Sequence, residues 1–453
     1  MPQNDTQPAM SALTLCLARA SEALEIVTLE RIVDAEEGLL FPSGHTLSSE
    51  NLTRLADAGL HKPLIDCIRL RSALSAADVF EDIQQQISKS ADLATLVNAT
   101  FDTRSVQTFA AFLTQLPRLL DWLTILKKCY PSIYRQGLFC AITGAILAFH
   151  MGQNKPFQQG AFIAGLCHDI GILCLPEDTL DNKDEPEQRE DYQQHPLLAG
   201  MLLQRVEKMP SLIIRATEES HERCDGSGFP NQKSAESLSQ LGQVVAMTDL
   251  LWDLLTVRLW PQGMTIGHAR HILHITSDAH FRNTYEALTK GLSKAQVKSF
   301  LVTPEDQLPA LLQQSLASVD QLNQCYMSLY AMVTALPRDK PSKLMASCYH
   351  SLAAIHRAVN SAGVLTSEHY AWLQELRDNG ISPGVGEELE TAALFHVALR
   401  WELSRLRDNV QHIYHSERKQ LKSEVVNLLN VGLKGIKDFQ QDRLHNQIGL
   451  LLW

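Results

Sequence analysis

The sequence predicts a mostly α-helical protein with a small α+β module at its N-terminal end. From about residue 76 onward, apolar residues recur three and four positions apart, which is the spacing of one helix face. Residues 25–70 differ, because short β-like runs alternate there with glycine and proline turns. The chain of 453 residues is also too long for one average domain. We therefore predict an α+β module over 1–72, a helical domain over 76–300 and a helical C-terminal region over 301–453.

Local signals predict individual helices at both ends of the chain. Residues 48–58 are predicted to form a short helix with Ser48 or Ser49 as its N-cap. The sequences 424–439 and 443–453 have the pattern of amphipathic helices. We expect these two helices to pack against the body of the protein or against a second subunit.

Composition and charge restrict the classes of function. Apolar residues make up 45% and charged residues 20% of the chain, as in ordinary globular proteins. The net charge of −11 argues against a protein that binds nucleic acid through its phosphate backbone. The nine cysteines include no CxxC pair, which indicates reduced, buried thiols rather than a disulfide framework.

The sequence shows no targeting or membrane-spanning signal. The N-terminal residues MPQNDTQPAM lack the basic-then-apolar order of a signal peptide. The longest apolar stretch, 138–149, is too short to cross a bilayer and is interrupted by glycine. We therefore expect no membrane span and a cytoplasmic location.

Histidines and aspartates recur in or beside the predicted helices of the central domain. Those that stand out are His168, Asp169, His195, His221 and Asp249. Divalent transition metals bind imidazole and carboxylate ligands, and a bridging carboxylate such as Asp169 can hold two of them. Two metals about 3.5–4 Å apart can clamp a phosphodiester. Each residue alone also fits a structural role, as a satisfied core histidine or a carboxylate on a helix surface.

Four motifs occur in a fixed order around these residues. HDIGILCLP begins at His168, HPLLAG at His195, SHERCDGSGFP at Ser220 and VVAMTDLLWDLLTVRLWPQGM at Val244. Together they resemble the HD-GYP branch of the HD superfamily of metal-dependent phosphohydrolases, over roughly residues 105–300. The resemblance implies a helical bundle of five core helices and two more. It also implies metal-dependent hydrolysis of cyclic di-GMP.

The resemblance assigns roles to individual residues. The implied metal ligands are His168, Asp169, His195, His221 and Asp249. Substrate contacts are implied for part of the DGSGFP loop and for the segment after the last motif helix: Asp225, Gly226, Gly228, Arg258 and Trp260. One or two iron or manganese ions are the implied cofactors, and a site without metal stays open as an alternative.

At four positions this chain departs from the family pattern. Where the family has a glutamate ligand, a first histidine ligand, a paired histidine and a phosphate-facing lysine, this chain has Ser132, Gln136, Ser220 and Ile172. Loss of a ligand or its orienting partner lowers metal affinity by about ten- to hundredfold. Loss of a charge that stabilises the transition state costs about a hundredfold in rate. The departures argue against a third metal and favour weak or lost hydrolysis.

Three hypotheses about function follow. The first is a cyclic di-GMP signalling protein with weak or lost hydrolysis, which binds a cyclic dinucleotide, or binds a protein partner through the GFP loop or the C-terminal helices. The second is an active metal-dependent phosphodiesterase for cyclic di-GMP or a related phosphoester. The third is a homodimer formed by its helices, in which the polar residues serve no metal or ligand.

Overall fold

Helices dominate the part of the chain that the structure describes, and the strands are few and short. The computed structural model describes residues 7–183, 185–277, 281–297, 300–382 and 384–436. The predicted mostly α-helical class is therefore confirmed.

Backbone packing divides the chain into two compact units. The first contains the described residues of Met1–His221 and Ser239–Trp252. The second contains those of Glu222–Leu238 and Asp253–Trp453. Both units are therefore discontinuous in sequence, and the segment that follows His221 belongs to the second.

The first unit contains the strands of the N-terminal module and the earlier helices. Its strands are β1 (Ile26–Thr28), β2 (Ile32–Val33), β3 (Leu39–Phe41), β4 (Thr46–Leu47) and β5 (Ile68–Leu70). Its helices are α1 (Gln7–Ala20), α2 (Ser49–Ala56), α3 (Leu64–Cys67), α4 (Ala76–Ser88), α5 (Ala91–Asn98), α6 (Thr103–Ala111), α7 (Pro117–Cys129), α8 (Pro131–His150), α9 (Lys155–Cys167), α10 (Pro186–Tyr192), α11 (His195–Leu203), α12 (Ser211–Glu218) and α13 (Gln240–Asp253), whose last residue falls in the second unit.

Residues 26–70 contain both short strands and helices. The domain bounds 1–72, 76–300 and 301–453 stay predictions. β1 is the middle strand of an antiparallel sheet with the order β4-β1-β5, and β2 pairs with β3. α2 begins after Ser48, whose hydroxyl accepts a hydrogen bond from the Asn51 N–H, while the Asn51 side chain accepts one from the Ser48 N–H. The predicted helix and its Ser48 N-cap are therefore confirmed.

α8 and α9 form the centre of the first unit. Most residues of both helices are buried, which explains why their sequences are apolar on nearly all sides. Gly165 of α9 lies directly against α8, because a Cβ at this position would lie 2.5 Å from the Cys140 carbonyl oxygen. Only glycine permits this approach, and it places one turn of α8 beside the C-terminal end of α9.

Among the described helices, only α8 is long and apolar enough to cross a membrane. In the structure, 72% of its apolar window is buried within the protein. A core helix of a globular unit has the same length and composition, so α8 is weak evidence for a membrane span.

The second unit is built from the later helices. They are α14 (Ile266–Thr276), α15 (Arg282–Lys294), α16 (Leu308–Thr334), α17 (Lys343–Ala362), α18 (Ser367–Asn379), α19 (Gly386–Ser416) and α20 (Ser423–Gly435). α16, α17, α19 and α20 share one apolar core that includes Leu329, Cys348, Leu399 and Leu429. α20 corresponds to the helix predicted over 424–439, and the helix predicted over 443–453 lies outside the described residues.

Candidate metal centre

The His168–Asp169 pair lies where α9 ends. The chain turns at these two residues into a 3-10 helix over Ile170–Cys174. His168 is fully buried and Asp169 is 4% exposed. The Nδ1 of His168 lies 2.8 Å from the Gly165 carbonyl oxygen, which accepts its proton. The imidazole therefore presents the lone pair of Nε2.

Gly171 explains how a second histidine approaches this pair. A Cβ at Gly171 would collide with the backbone carbonyl oxygen of His195, the first residue of α11. Glycine therefore lets the beginning of α11 pack against the 3-10 helix. His195 Nδ1 lies 2.7 Å from the Tyr192 carbonyl oxygen, so this imidazole also presents Nε2.

Three imidazoles and two carboxylates converge in the first unit. We call them the metal-ligand cluster: His168, Asp169, His195, His221 and Asp249. Asp169 Oδ1 lies 3.1 Å from His195 Nε2 and 3.3 Å from His221 Nε2, and Oδ2 lies 3.3 Å from His168 Nε2. Asp249 lies 3.3 Å from His168 Nε2 and 3.1 Å from His221 Nδ1. The structure thus brings together all five residues predicted as metal ligands.

The two carboxylates attract positive charge into the cluster. Burial disfavours their ionised forms, but the imidazoles outweigh burial and lower the pKa of both Asp169 and Asp249. Burial also disfavours protonation of His221, yet Asp249 and Asp169 raise its pKa to about 10. For His195, burial dominates and lowers the pKa. A divalent metal supplies the same positive charge with the imidazoles neutral.

The donor set fits a divalent transition metal. Ligand atoms of His168, Asp169 and His221 all lie within 4.8 Å of one another. His168 and His195 each donate Nδ1–H to a backbone carbonyl, which is the usual orientation of a metal-bound histidine. The Nε2 atoms of His195 and His221 are 2.9 Å apart, where two lone pairs repel unless a proton or a cation lies between them.

The four positions that depart from the family pattern differ from one another in burial and in their contact with the metal-ligand cluster. Gln136 donates from its side-chain amide to Asp249 Oδ1 at 2.5 Å, so this position does face the cluster. Ser220 is buried, and its Oγ has no hydrogen-bond partner among the described residues. Ile172 is fully buried and Ser132 is exposed.

A cysteine on α8 also lies beside the cluster. The Sγ of Cys140 and ligand atoms of His168 and Asp249 lie within 4.8 Å of one another. From the sequence, Cys140 was expected only to be one of the reduced, buried thiols. Its position four residues after Gln136, on the same face of one helix, was the signal that could have identified it.

A family model for the HD domain matches residues 128–284. This segment contains the entire metal-ligand cluster. Residues 128–284 are an HD domain. The predicted resemblance to this superfamily is therefore confirmed, whereas the loss of function at the departed positions stays a prediction.

Two proteins similar to this chain are named as phosphodiesterases for cyclic dinucleotides. The chain is 28% identical over 129 residues to a 3'3'-cGAMP-specific phosphodiesterase of Vibrio cholerae, which covers 28% of this chain and 30% of the relative. It is 22% identical over 247 residues to a cyclic di-GMP phosphodiesterase of Pseudomonas aeruginosa, which covers 52% of this chain and 58% of the relative. The similarity thus spans less than two thirds of each relative.

The DGSGFP loop of the HD domain belongs to the second unit. Glu222, just before the loop, is fully buried. Its carboxylate accepts hydrogen bonds from the backbone N–H groups of Asn231 and Lys233, just after the loop, at 2.7 and 2.8 Å, so it links the two ends of the loop. Gly226 has a φ of 74°, a conformation that favours glycine. The side chain of Asp225 accepts hydrogen bonds from the backbone and hydroxyl of Ser227.

Asp225 also belongs to a group of charges whose two carboxylates are buried and whose two arginines are half-buried. We call it the arginine–acid cluster: Arg223, Asp225, Glu402 and Arg405. Arg223 lies 3.8 Å from Asp225 and 3.5 Å from Glu402. Arg405 pairs with Glu402 and lies 3.7 Å from Asp225, and Ser351 donates a hydrogen bond to Asp225 at 3.0 Å. Burial would raise the pKa of Asp225, but the two arginines outweigh it and lower the pKa to about 2.

The other predicted substrate residues also lie in the second unit. The guanidinium of Arg258 lies 3.7 Å from the ring centroid of Trp401 on α19. Burial lowers the pKa of Arg258 to about 10, so it stays charged at neutral pH. Gly228 is buried and Trp260 is half-buried. Substrate contact by these residues stays a prediction. The sequence did not predict that Ser351 on α17 and Arg405 on α19 contact Asp225, because both residues lie outside the four motifs.

Proposed function

We propose that this HD-domain protein binds a cyclic dinucleotide at a metal centre and hydrolyses it weakly or not at all. The convergence of His168, Asp169, His195, His221 and Asp249 carries the proposal, because this donor set suits a metal. The names of the relatives, all of them phosphodiesterases for cyclic dinucleotides, support the class of ligand.

The cluster divides naturally into two overlapping ligand sets. His168, Asp169 and Asp249 would hold one ion, and Asp169, His195 and His221 would hold another, with Asp169 shared. Iron and manganese are the ions we propose. When bound, such ions act as Lewis acids toward a phosphodiester and toward the attacking water. The carbonyl groups that accept from His168 and His195 orient the rings for this task.

The proposal of weak hydrolysis depends on two positions. Ile172 is fully buried and uncharged, so it offers no cation to the developing negative charge of the phosphate. Removing one such stabilising group commonly costs about a hundredfold in rate. Gln136 offers an amide that donates to Asp249 instead of an imidazole that binds metal.

One preparation can test binding and hydrolysis together. The purified protein, supplied with iron(II) or manganese under anaerobic conditions, is assayed for metal content, for cyclic di-GMP and 3'3'-cGAMP binding, and for turnover. We expect stoichiometric metal, saturable binding and turnover well below about 1 s⁻¹, the low end of ordinary enzymes. Turnover at ordinary rates would refute weak hydrolysis, and absence of both metal and nucleotide binding would refute the whole proposal.

An active phosphodiesterase is the second candidate. The observation in its favour is the intact orientation of the imidazoles, since hydrogen bonds to backbone carbonyls are usually kept where ligand geometry matters. On this alternative, His168→Ala and Asp169→Ala abolish a measurable activity that the unaltered protein shows on a cyclic dinucleotide or a related phosphoester. A protein without activity on any of these substrates excludes it.

A protein partner at the GFP loop or the C-terminal helices, a homodimer, and a cytoplasmic location stay predictions. Sedimentation analysis of the full chain tests the homodimer directly.

A further inference from the structure

The first ligand set is short of one donor. The resemblance places an imidazole at Gln136, and the glutamine instead donates its amide proton to Asp249. A nitrogen that carries a donated proton cannot at the same time coordinate a metal. Gln136 therefore fixes the orientation of Asp249 but contributes no ligand through this atom.

Cys140 occupies the next turn of the same helix face. Residues four apart lie one above the other on an α-helix, so Cys140 projects toward the same region as Gln136. Its Sγ lies within 4.8 Å of ligand atoms of both His168 and Asp249, and the residue is fully buried. The three residues come from α8, from the end of α9 and from α13, so their meeting depends on the tertiary fold.

Gly165 is the residue that brings the thiol and the histidine together. A Cβ on Gly165 would lie 2.5 Å from the carbonyl oxygen of Cys140, so the glycine lets α8 and α9 touch at this point. The carbonyl oxygen of the same glycine accepts the Nδ1 proton of His168. One backbone position thus sets both the approach of Cys140 and the direction of His168 Nε2.

We propose that Cys140 is a thiolate ligand that replaces the missing imidazole and completes a metal site with His168 and Asp249. This inference rests on the metal centre of the proposed function. On coordination the thiol loses its proton to solvent and a sulfur–metal bond forms, so the net charge of the metal and its ligands falls by one while the ion stays divalent. A set of one sulfur, one nitrogen and one oxygen donor selects softer ions such as zinc, iron(II) or cobalt(II) over magnesium or calcium.

A neighbouring cysteine offers a matched control. Cys167 is also fully buried in the same unit, one residue before His168. Its Sγ lies 2.9 Å from the Ile163 carbonyl oxygen. Replacing either thiol with serine removes one buried sulfur, but only the Cys140 replacement removes the proposed ligand.

Cobalt(II) is the probe, because a cobalt–thiolate bond gives a charge-transfer band in the near ultraviolet. Metal-stripped full-length protein is titrated with cobalt(II) and the absorption and affinity are measured. We expect the band in the unaltered protein and in Cys167→Ser, and its loss in Cys140→Ser together with about tenfold weaker cobalt binding or more. Adding Gln136→His to Cys140→Ser should restore the affinity without restoring the band.

Each outcome decides something different. Cobalt binding without the band, or a band that persists in Cys140→Ser, overturns the thiolate ligand and leaves the metal centre standing. Failure of the unaltered protein to bind cobalt overturns the metal centre itself. Should Cys140→Ser fail to fold, X-ray absorption at the zinc edge decides with no variant: the zinc-loaded, unaltered protein must show a sulfur at about 2.3 Å from the metal, and a shell of nitrogen and oxygen alone overturns the proposal.

Discussion

The two charge clusters of this protein are balanced in different ways. The metal-ligand cluster sets three imidazoles around two carboxylates, and several of its nitrogen and oxygen atoms face one another. The arginine–acid cluster sets two guanidinium groups against two carboxylates. Arginine is charged at every ordinary pH, whereas imidazole can be neutral. The second cluster is therefore balanced by itself, and the first is balanced only with protons or a metal.

From this difference we expect the metal-ligand cluster to serve a ligand and the arginine–acid cluster to stabilise the fold. In the metal-ligand cluster, the Nδ1 atoms of His168 and His195 each donate a hydrogen bond to a backbone carbonyl oxygen. Their Nε2 atoms are therefore left to bind a metal. In the arginine–acid cluster, charges from the loop after Glu222 pair with charges on α19, so the contacts join segments distant in sequence. Substitutions in the first should change metal binding, and substitutions in the second should change stability.

The largest expected effect is on metal binding by Asp169→Asn. Asp169 faces all three imidazoles, and the amide carries no charge to attract a cation. We expect metal affinity to fall by about a hundredfold or more, measured by elemental analysis after gel filtration and by calorimetric titration. Asp225→Asn makes the same chemical change in the arginine–acid cluster and should keep its metal. Full metal content in Asp169→Asn would break the contrast between the clusters.

Glu402→Gln should be the most destabilising of the changes in the arginine–acid cluster. It leaves Arg223 and Arg405 with a single carboxylate, and breaking a buried ion pair on one side costs about 3 kcal/mol. The free energy of unfolding is measured by denaturant titration, with metal content expected to be unchanged. Glu388→Gln, an exposed position on the same helix, should change stability by less than about 0.5 kcal/mol.

A charge-balanced variant checks the reason for this loss. Glu402→Gln combined with Arg405→Met removes one charge of each sign and leaves Arg223 opposite Asp225. The double variant should therefore be less destabilised than the sum of the two single changes. Equal stability of Glu402→Gln and Glu388→Gln would show that the cluster does not hold the fold.

Acid should weaken the arginine–acid cluster through Asp225. Its pKa is about 2 in the folded protein, below the value of about 3.9 for an unfolded chain. The ionised carboxylate therefore contributes stability above pH 4, and the contribution is lost as the pH falls from 4 to 2. The difference corresponds to about 2.5 kcal/mol. Unfolding measured across this range should show a shallower loss of stability in Asp225→Asn than in the unaltered protein, and parallel curves would contradict the assignment.

Much of the metal-ligand cluster was predictable because its residues lie within short motifs. The His168–Asp169 pair is adjacent in sequence, and the other members stand at fixed places in the following motifs. The mostly α-helical class followed from periodicity that runs through most of the chain. The N-cap of α2 was equally local, since a serine before an amphipathic turn has one favoured role.

The arginine–acid cluster could not be predicted from the same sequence. Its two acids are separated by more than 170 positions, and ion pairs across such distances leave no periodic pattern. Asp225 looked like a substrate contact because the loop resembles a family motif, and its partners Ser351 and Arg405 lie far outside that motif. Cys140 was overlooked for a related reason: only the packing at Gly165 brings its helix turn to His168.

The smallest expected effect concerns the single hydrogen bond from Ser351 to Asp225 of the DGSGFP loop. Ser351 and Ser347 lie one turn apart on α17, and both are buried. Ser351 donates a hydrogen bond to Asp225. Ser347 Oγ has no hydrogen-bond partner among the described residues. Ser351→Ala should cost about 1.5 kcal/mol, because it removes a hydrogen bond to a charged group. Ser347→Ala removes only an unsatisfied hydroxyl and should be neutral or slightly stabilising. Denaturant unfolding distinguishes the two variants, and metal content should stay constant in both. Equal effects of the two substitutions on stability would mean that the arginines alone hold Asp225. A loss of metal in Ser351→Ala would show that the arginine–acid cluster also affects metal binding, and that the two clusters do not have separate roles.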